Sequence, residues 1–420
     1  MANTATPAQA TSNGSVSQRG AAVVRNWTRG DTVRTSIAAI IIVGLIAWAT
    51  LIGNDPSLGS NASFSLLIGT ALGIAFERGR FCFFCIFRDG IEFKITSPFL
   101  SVFSAIAVGA IGYAIVFGMF LPDTTTGEYP PAAHIGPVSW VLALAAFTFG
   151  IGMALSGACI SGHLYRLGQG SLRAIPALLG ALIGFGLGYF TWNDLYLGTI
   201  QEAPTLWLPH LLGYSGALVA TLVAVIGLSV LALKLGKKDD KYSIPVAEPI
   251  SLAGLRDRLV KRRWSPIFTG AIVGAIGVLG YLRIEPLGVT RQIGSSTRTF
   301  LDANGLIPET LHGFDAMTGC IGVITETLTN NGWILIGIVV ASFAAALSGN
   351  RFKIGGLTLP NGMTALIGGV LLGWGGMTAL GCTVGVLLSS TQAFSIAGWV
   401  FFAFALLGTF VGIKLKLHRF

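Results

Sequence analysis

The chain has 420 residues, of which 53% are hydrophobic and only 11% charged, and it carries a formal net charge of +9. Composition this apolar, with a mean hydropathy of +0.73, excludes an ordinary globular domain and places the chain in lipid. The positive excess requires no nucleic acid, because most of it lies in loops that would face anionic membrane lipid.

In chain order, residues 1–35 form a basic arm whose first 20 positions are rich in Ala, Thr, Ser and Gln, a composition expected to stay disordered. Residues 36–53 read as a retained membrane helix, although Ala47-Trp48-Ala49 resembles a cleavage site. The next apolar run, 63–76, is too short: about 14 residues at 1.5 Å each do not cross a core of roughly 30 Å. Glu77, Arg78 and Arg80 end it, so it is either a half-span or a span with sheltered charges. Further uncharged stretches cover 95–121, 136–162, 174–192, 211–233, 264–282 and 332–349. From Lys353 to Lys414 no charge appears, which leaves room for two helices with a break near Ser389, Ser390 and Gln392. These patterns predict an all-α polytopic integral membrane protein of about ten apolar helical segments, some of them broken or half-spans. The expected organisation is the arm 1–35, a first transmembrane half 36–235, a basic linker 236–264, and a second half 265–420.

Lys and Arg collect in alternate loops, as retention on the cytoplasmic side predicts. Arg19, Arg25, Arg29 and Arg34 mark the arm; Arg78, Arg80, Arg88 and Lys94, then Arg166 and Arg173, then the linker, Arg351 with Lys353, and the carboxy-terminal Lys414, Lys416 and Arg419 continue the series. Both termini therefore read as cytoplasmic. Arg283, Arg291 and Arg298 are exceptions to the count, and the 255–264 stretch LRDRLVKRRW reads as a helix at the cytoplasmic surface.

The most specific signal is a duplication. GIGMALSGACISG, 150–162, and GWGGMTALGCTVG, 373–385, align on Cys159 and Cys382, 223 positions apart (382 − 159), with Gly150 on Gly373, Gly152 on Gly375, Gly162 on Gly385 and Gln169 on Gln392. The loop count makes the first copy run inward and the second outward, so the two halves are expected to be inverted and pseudo-symmetric. A matched pair of thiols in inverted halves points to a two-sided path rather than to an enzyme.

The five cysteines are an odd number and form no disulfide framework. Cys82 and Cys85 make a CxxC without a second CxxC, and His163 follows Cys159 by four positions with Gly162 expected to interrupt the helix; neither supplies a metal-ligand set, and no cofactor is expected. Cys85 and Cys320 also suit the plainer role of small buried hydrophobes. Arg80, directly before Cys82, is the cation expected to face an anion.

FERGRFCFFCIFRDG, GMALSGACISGHLYRLGQGS and GMTALGCTVG together resemble the YeeE/YedE family of bacterial sulfur-compound transporters, whose characterised members take up thiosulfate. The resemblance implies inverted helical halves with short helices dipping to a central constriction in the bacterial inner membrane. It carries three path cysteines over to Cys82, Cys159 and Cys382, and makes thiosulfate, or another sulfur or selenium species, the expected substrate; a cytoplasmic sulfur-carrier protein is the partner it suggests. Thiosulfate is a small dianion with a soft terminal sulfur. Burial disfavours a charged thiolate, so the cysteines are expected to act as neutral, weak S–H donors that pass the anion from Cys382 to Cys159 to Cys82. Half-helix N-termini and the backbones of Gly157, Gly162, Gly381 and Gly385 would help hold its charge, with Cys85, Cys320, His163 and Arg166 as further candidates. The competing readings are a membrane thiol or persulfide oxidoreductase and a channel for a neutral solute in which the cysteines are incidental.

Overall fold

The computed structural model describes residues 27–237, 256, 257 and 259–419; the first 26 residues of the arm and most of the basic linker lie outside the described residues. The described residues form helices and no β-strand. In chain order the helices are α1 (Arg29–Asn54), α2 (Gly59–Gly79), α3 (Phe83–Phe93), α4 (Phe99–Phe120), α5 (Trp140–Ser156), α6 (Ile160–Gly168) and α7 (Ala174–Gly198). Then come α8 (Leu208–Leu235), α9 (Pro266–Arg283), α10 (Arg291–Ala303), α11 (Asn330–Ser348), α12 (Leu359–Thr378), a short π-helix (Thr383–Ser390) and α13 (Ile396–Lys414). Nine of the described helical stretches are long and apolar enough to cross a membrane, and α12 with the π-helix makes a tenth, bent by 41°. The chain is thus an all-helical, multi-pass membrane protein.

Small residues set the packing. A methyl group at Gly152 would fall 2.8 Å from the Gly368 carbonyl oxygen, and one at Gly375 would fall 2.6 Å from that of Ala145. Ala145 and Gly368 are themselves one repeat apart, so α5 and α12 cross antiparallel with the same contact made in both directions. Only glycine permits backbones to approach this closely. The same reciprocity holds farther out: Gly69 and Gly73 of α2 lie against the Ile334 and Ile338 carbonyls of α11, while Gly270 and Gly274 of α9 lie against the Ser101 and Ala105 carbonyls of α4. Likewise α7 packs along α12 as α13 packs along α5, and α1 flanks α11 as α8 flanks α4.

The 63–76 run resolves as a full span with sheltered charges. α2 and α3 continue one another as residues 59–93, and Glu77 and Arg78 are buried. Arg351 grips both Glu77 oxygens at 2.6 and 2.8 Å, Gln169 donates to one of them, and Arg78 donates to Ser348. Arg263 donates to the Glu77 carbonyl, and Lys261 pairs with Asp31 at the start of α1, so the end of the linker docks on this face of the bundle. Two of the three exceptional arginines at the opposite face are neutralised locally, Arg291 by Glu285 and Arg298 by Asp315, while Arg283 donates to the Ser60 hydroxyl. In the last apolar stretch the chain breaks where expected, between the π-helix and α13, and once more at Ala379–Cys382.

Candidate functional site

Two breaks meet near one face. After α2, Arg80 takes a left-handed conformation (φ 51°) that ends the helix, and Cys82 stands at the head of α3. After α5, Gly157 (φ 88°) reverses the backbone as a glycine can at little cost, and Cys159 stands at the head of α6. Gly162 lies within α6, not at a break, and there its lack of a side chain makes room: a methyl group would fall 2.7 Å from Cys82 Sγ and 3.3 Å from Cys159 Sγ. Ser161 Oγ lies 3.3 Å from the Cys159 sulfur, and the backbone N–H groups of Phe83 and Gly162 approach it. These belong to the first turns of α3 and α6, so the positive ends of two helix dipoles converge on one sulfur. One turn on, Arg166 donates to Cys85 Sγ at 2.7 Å and to the Gly157 carbonyl at 2.8 Å. Cys85 borders a cavity of about 230 Å³ lined also by Arg80, Asp89, Arg263 and Trp264.

The opposite face repeats the plan. Leu380 (φ 61°) takes the left-handed turn at the position aligned with Gly157, Gly381 (φ 159°) follows, and Cys382 heads the π-helix. The N–H groups of Val384 and Gly385, and that of Val289 just before α10, approach the Cys382 sulfur. Cys320, carried by the segment between α10 and α11, donates its N–H to the Leu380 carbonyl (2.9 Å). Its thiol lies against Gly385, where a methyl group would fall 2.8 Å from Cys320 Sγ and 3.4 Å from the His134 ring. A second cavity, about 430 Å³, opens above it, lined by Glu285, Arg291, Asp315, Thr318, Cys320 and Asn331 among others.

The structure therefore brings together Cys82, Cys85, Cys159, Gly157, Gly162, Arg80 and Arg166 at one end of the α5–α12 pair. It brings Cys320, Cys382, Gly381 and Gly385 together at the other. Cys82, Cys159 and Cys382 are fully buried, and the two groups lie on either side of the helix crossing instead of in one cluster. His163 is buried on α6 with its Nε2 unpartnered. Sequence reasoning missed His134, Thr290 and Gly288, which stand in loops without a recognisable motif, and Arg263, whose role depends on how the linker docks.

A family model described as sulphur transport matches residues 78–411, a span that holds all four breaks. The chain belongs to this sulphur transport family. Among curated relatives, the thiosulfate transporter TsuA of Escherichia coli K12 is 28% identical over 368 residues, covering 84% of this chain and 94% of the relative. TsuA of Spirochaeta thermophila is 27% identical over 370 residues, covering 84% and 98%. The probable transporter YedE of E. coli K12 is 27% identical over 189 residues, 45% of this chain and 44% of that protein. All three are named as transporters, which agrees with a multi-pass membrane chain.

Proposed function

We propose that this protein imports thiosulfate, or a closely related small sulfur anion, across the bacterial inner membrane along a path lined by cysteine side chains. The carrying observation is the repeated motif: Cys159 stands beside N–H groups from the first turns of α3 and α6, Cys382 beside those of the π-helix and of Val289 just before α10, and the two sites face opposite ends of the antiparallel pair. Such places favour a dianion through oriented N–H dipoles, while Arg166, the cation next to the inner site, is held by Cys85 and the Gly157 carbonyl. Thiols add weak, soft contacts suited to a terminal sulfur. The anion moves from Cys382 to Cys159 and Cys82, then to the Arg80 and Arg263 cavity. On this reading the face bearing the linker is cytoplasmic, both termini lie on that side, and a sulfur-carrier protein would collect the product there.

The test is uptake of labelled thiosulfate into cells lacking other sulfur importers, with wild type beside Cys82→Ala, Cys159→Ala and Cys382→Ala at matched membrane levels. Wild type should transport, and each variant should fall to about a tenth of it or less, since one lost relay site interrupts the series. Equal uptake by all three variants would discard the thiol path, and silence of the wild type would discard thiosulfate as substrate.

A further inference from the structure

Resting on that reading, we infer that Cys320 and Cys382 form an outer binding site for a sulfur oxyanion, the two-fold counterpart of the inner Cys82–Cys159 pair. The register follows from the backbone donors. The Phe83 N–H approaches the Cys159 sulfur, and the residue before it is Cys82; the Val289 N–H approaches the Cys382 sulfur, and the residue before it is Gly288. Gly288 has no side chain to offer. In its place stands Cys320, whose Sγ lies 2.1 Å from where a Gly288 methyl group would be. The aligned glycines see the same thing: a methyl group at Gly162 would meet Cys82 Sγ at 2.7 Å, and one at Gly385 would meet Cys320 Sγ at 2.8 Å. The second half thus receives its missing thiol from a different segment of chain.

The surroundings fit an anion. Thr290 is fully buried, its hydroxyl lies beside both the Cys320 and Cys382 thiols, and no other group among the described residues engages it. Asn331, 2% exposed, lines the cavity above, and its amide nitrogen donates to the Gly288 carbonyl, which fixes the turn that carries Thr290. The two carboxylates lining that cavity are each held by an arginine, Glu285 by Arg291 and Asp315 by Arg298, so an entering anion meets no uncompensated negative charge. Cys320 and Thr290 then offer a thiol to a terminal sulfur and a hydroxyl to an oxyanion oxygen.

Uptake kinetics and chemical protection test this together. Cys320→Ala should raise the KM for thiosulfate about three- to fivefold, the loss of one weak donor, while leaving the maximal rate within about a factor of two. Adding Gly288→Cys to Cys320→Ala should restore the KM, because it places a thiol where the first half carries Cys82, in space that Cys320 has vacated. In purified wild-type protein, thiosulfate should slow alkylation of Cys320, mapped by peptide mass spectrometry, with sulfite and selenite run alongside. An unchanged KM in Cys320→Ala, or a double variant no better than the single one, would overturn the inference. If Cys320→Ala fails to assemble, protection in the wild type decides: protection by any of the three anions supports the site, and protection by none removes it. A wild type that takes up no thiosulfate while one of the other anions protects Cys320 would overturn the substrate and keep the site.

Discussion

At the scale of single residues, glycine serves two separate ends here, and substitution should separate them. Gly157 is needed for its left-handed backbone, so Gly157→Ala should lower stability by roughly 1–2 kcal/mol, read as earlier thermal unfolding of the purified protein. Gly162 has ordinary helical geometry and is needed for the room it leaves beside two sulfurs. Gly162→Ala should therefore assemble at near-normal levels yet lose most uptake, because the added methyl group must displace Cys82. A Gly162→Ala protein with wild-type uptake would show that the Cys82–Cys159 contact lies off the path. The importance of Gly162 was legible in the sequence from its alignment with Gly385, but its mechanism was not, since a glycine that spares a neighbour and one that breaks a helix look alike as letters.

At the scale of elements, the buried ion cluster ties α2, α11 and the linker together. Glu77→Gln would leave Arg351 and Arg78 facing an uncharged amide in a buried setting, which costs about 3–5 kcal/mol when one partner of such a group is removed. Loss of monodisperse protein on size-exclusion chromatography should follow, with partial recovery in Glu77→Asp. At the other end, burial pushes the Glu285 carboxyl above the usual range, while the adjacent Arg291 opposes the rise. As external pH falls, Glu285 takes up a proton before an ordinary carboxylate does, and Arg291 then presents an uncompensated charge to a cavity that also holds Asp315, itself paired with Arg298. The KM for thiosulfate should fall as the external pH is lowered, and Glu285→Gln, which mimics the protonated form, should keep the lower KM throughout; a parallel pH profile in that variant would count against the role. The sequence showed Glu77 and its neighbours as charges in need of shelter. It did not show which cations came to them, because Arg263 and Arg351 lie far along the chain and meet Glu77 only through folding.

At the scale of the whole molecule, the helical class, the number of spans and the duplication were readable from apolar run lengths and one repeated motif, since lipid imposes those lengths directly. The grouping of the cysteines at the two ends of the α5–α12 crossing was not readable, because Cys320 comes from a segment outside the repeat. The peripheral helices extend the reciprocity, and we propose that α1 and α8 open equivalent units. The proposed orientation has its own check: with the native cysteines buried, a membrane-impermeant thiol reagent added to intact cells should label Thr126→Cys, between α4 and α5, and spare Lys353→Cys, between α11 and α12. The reverse pattern would turn the protein over in the membrane and the proposed direction of flow with it. The bare seam between α5 and α12 carries a last implication. Two rods touching near mid-length through peptide backbone, with Phe149 and Leu371 beside the contact, are set like a balance beam on its fulcrum. We propose that a tilt parting the groups at one end presses them together at the other, so that a single rocking movement works both sluice doors and they never stand open at once.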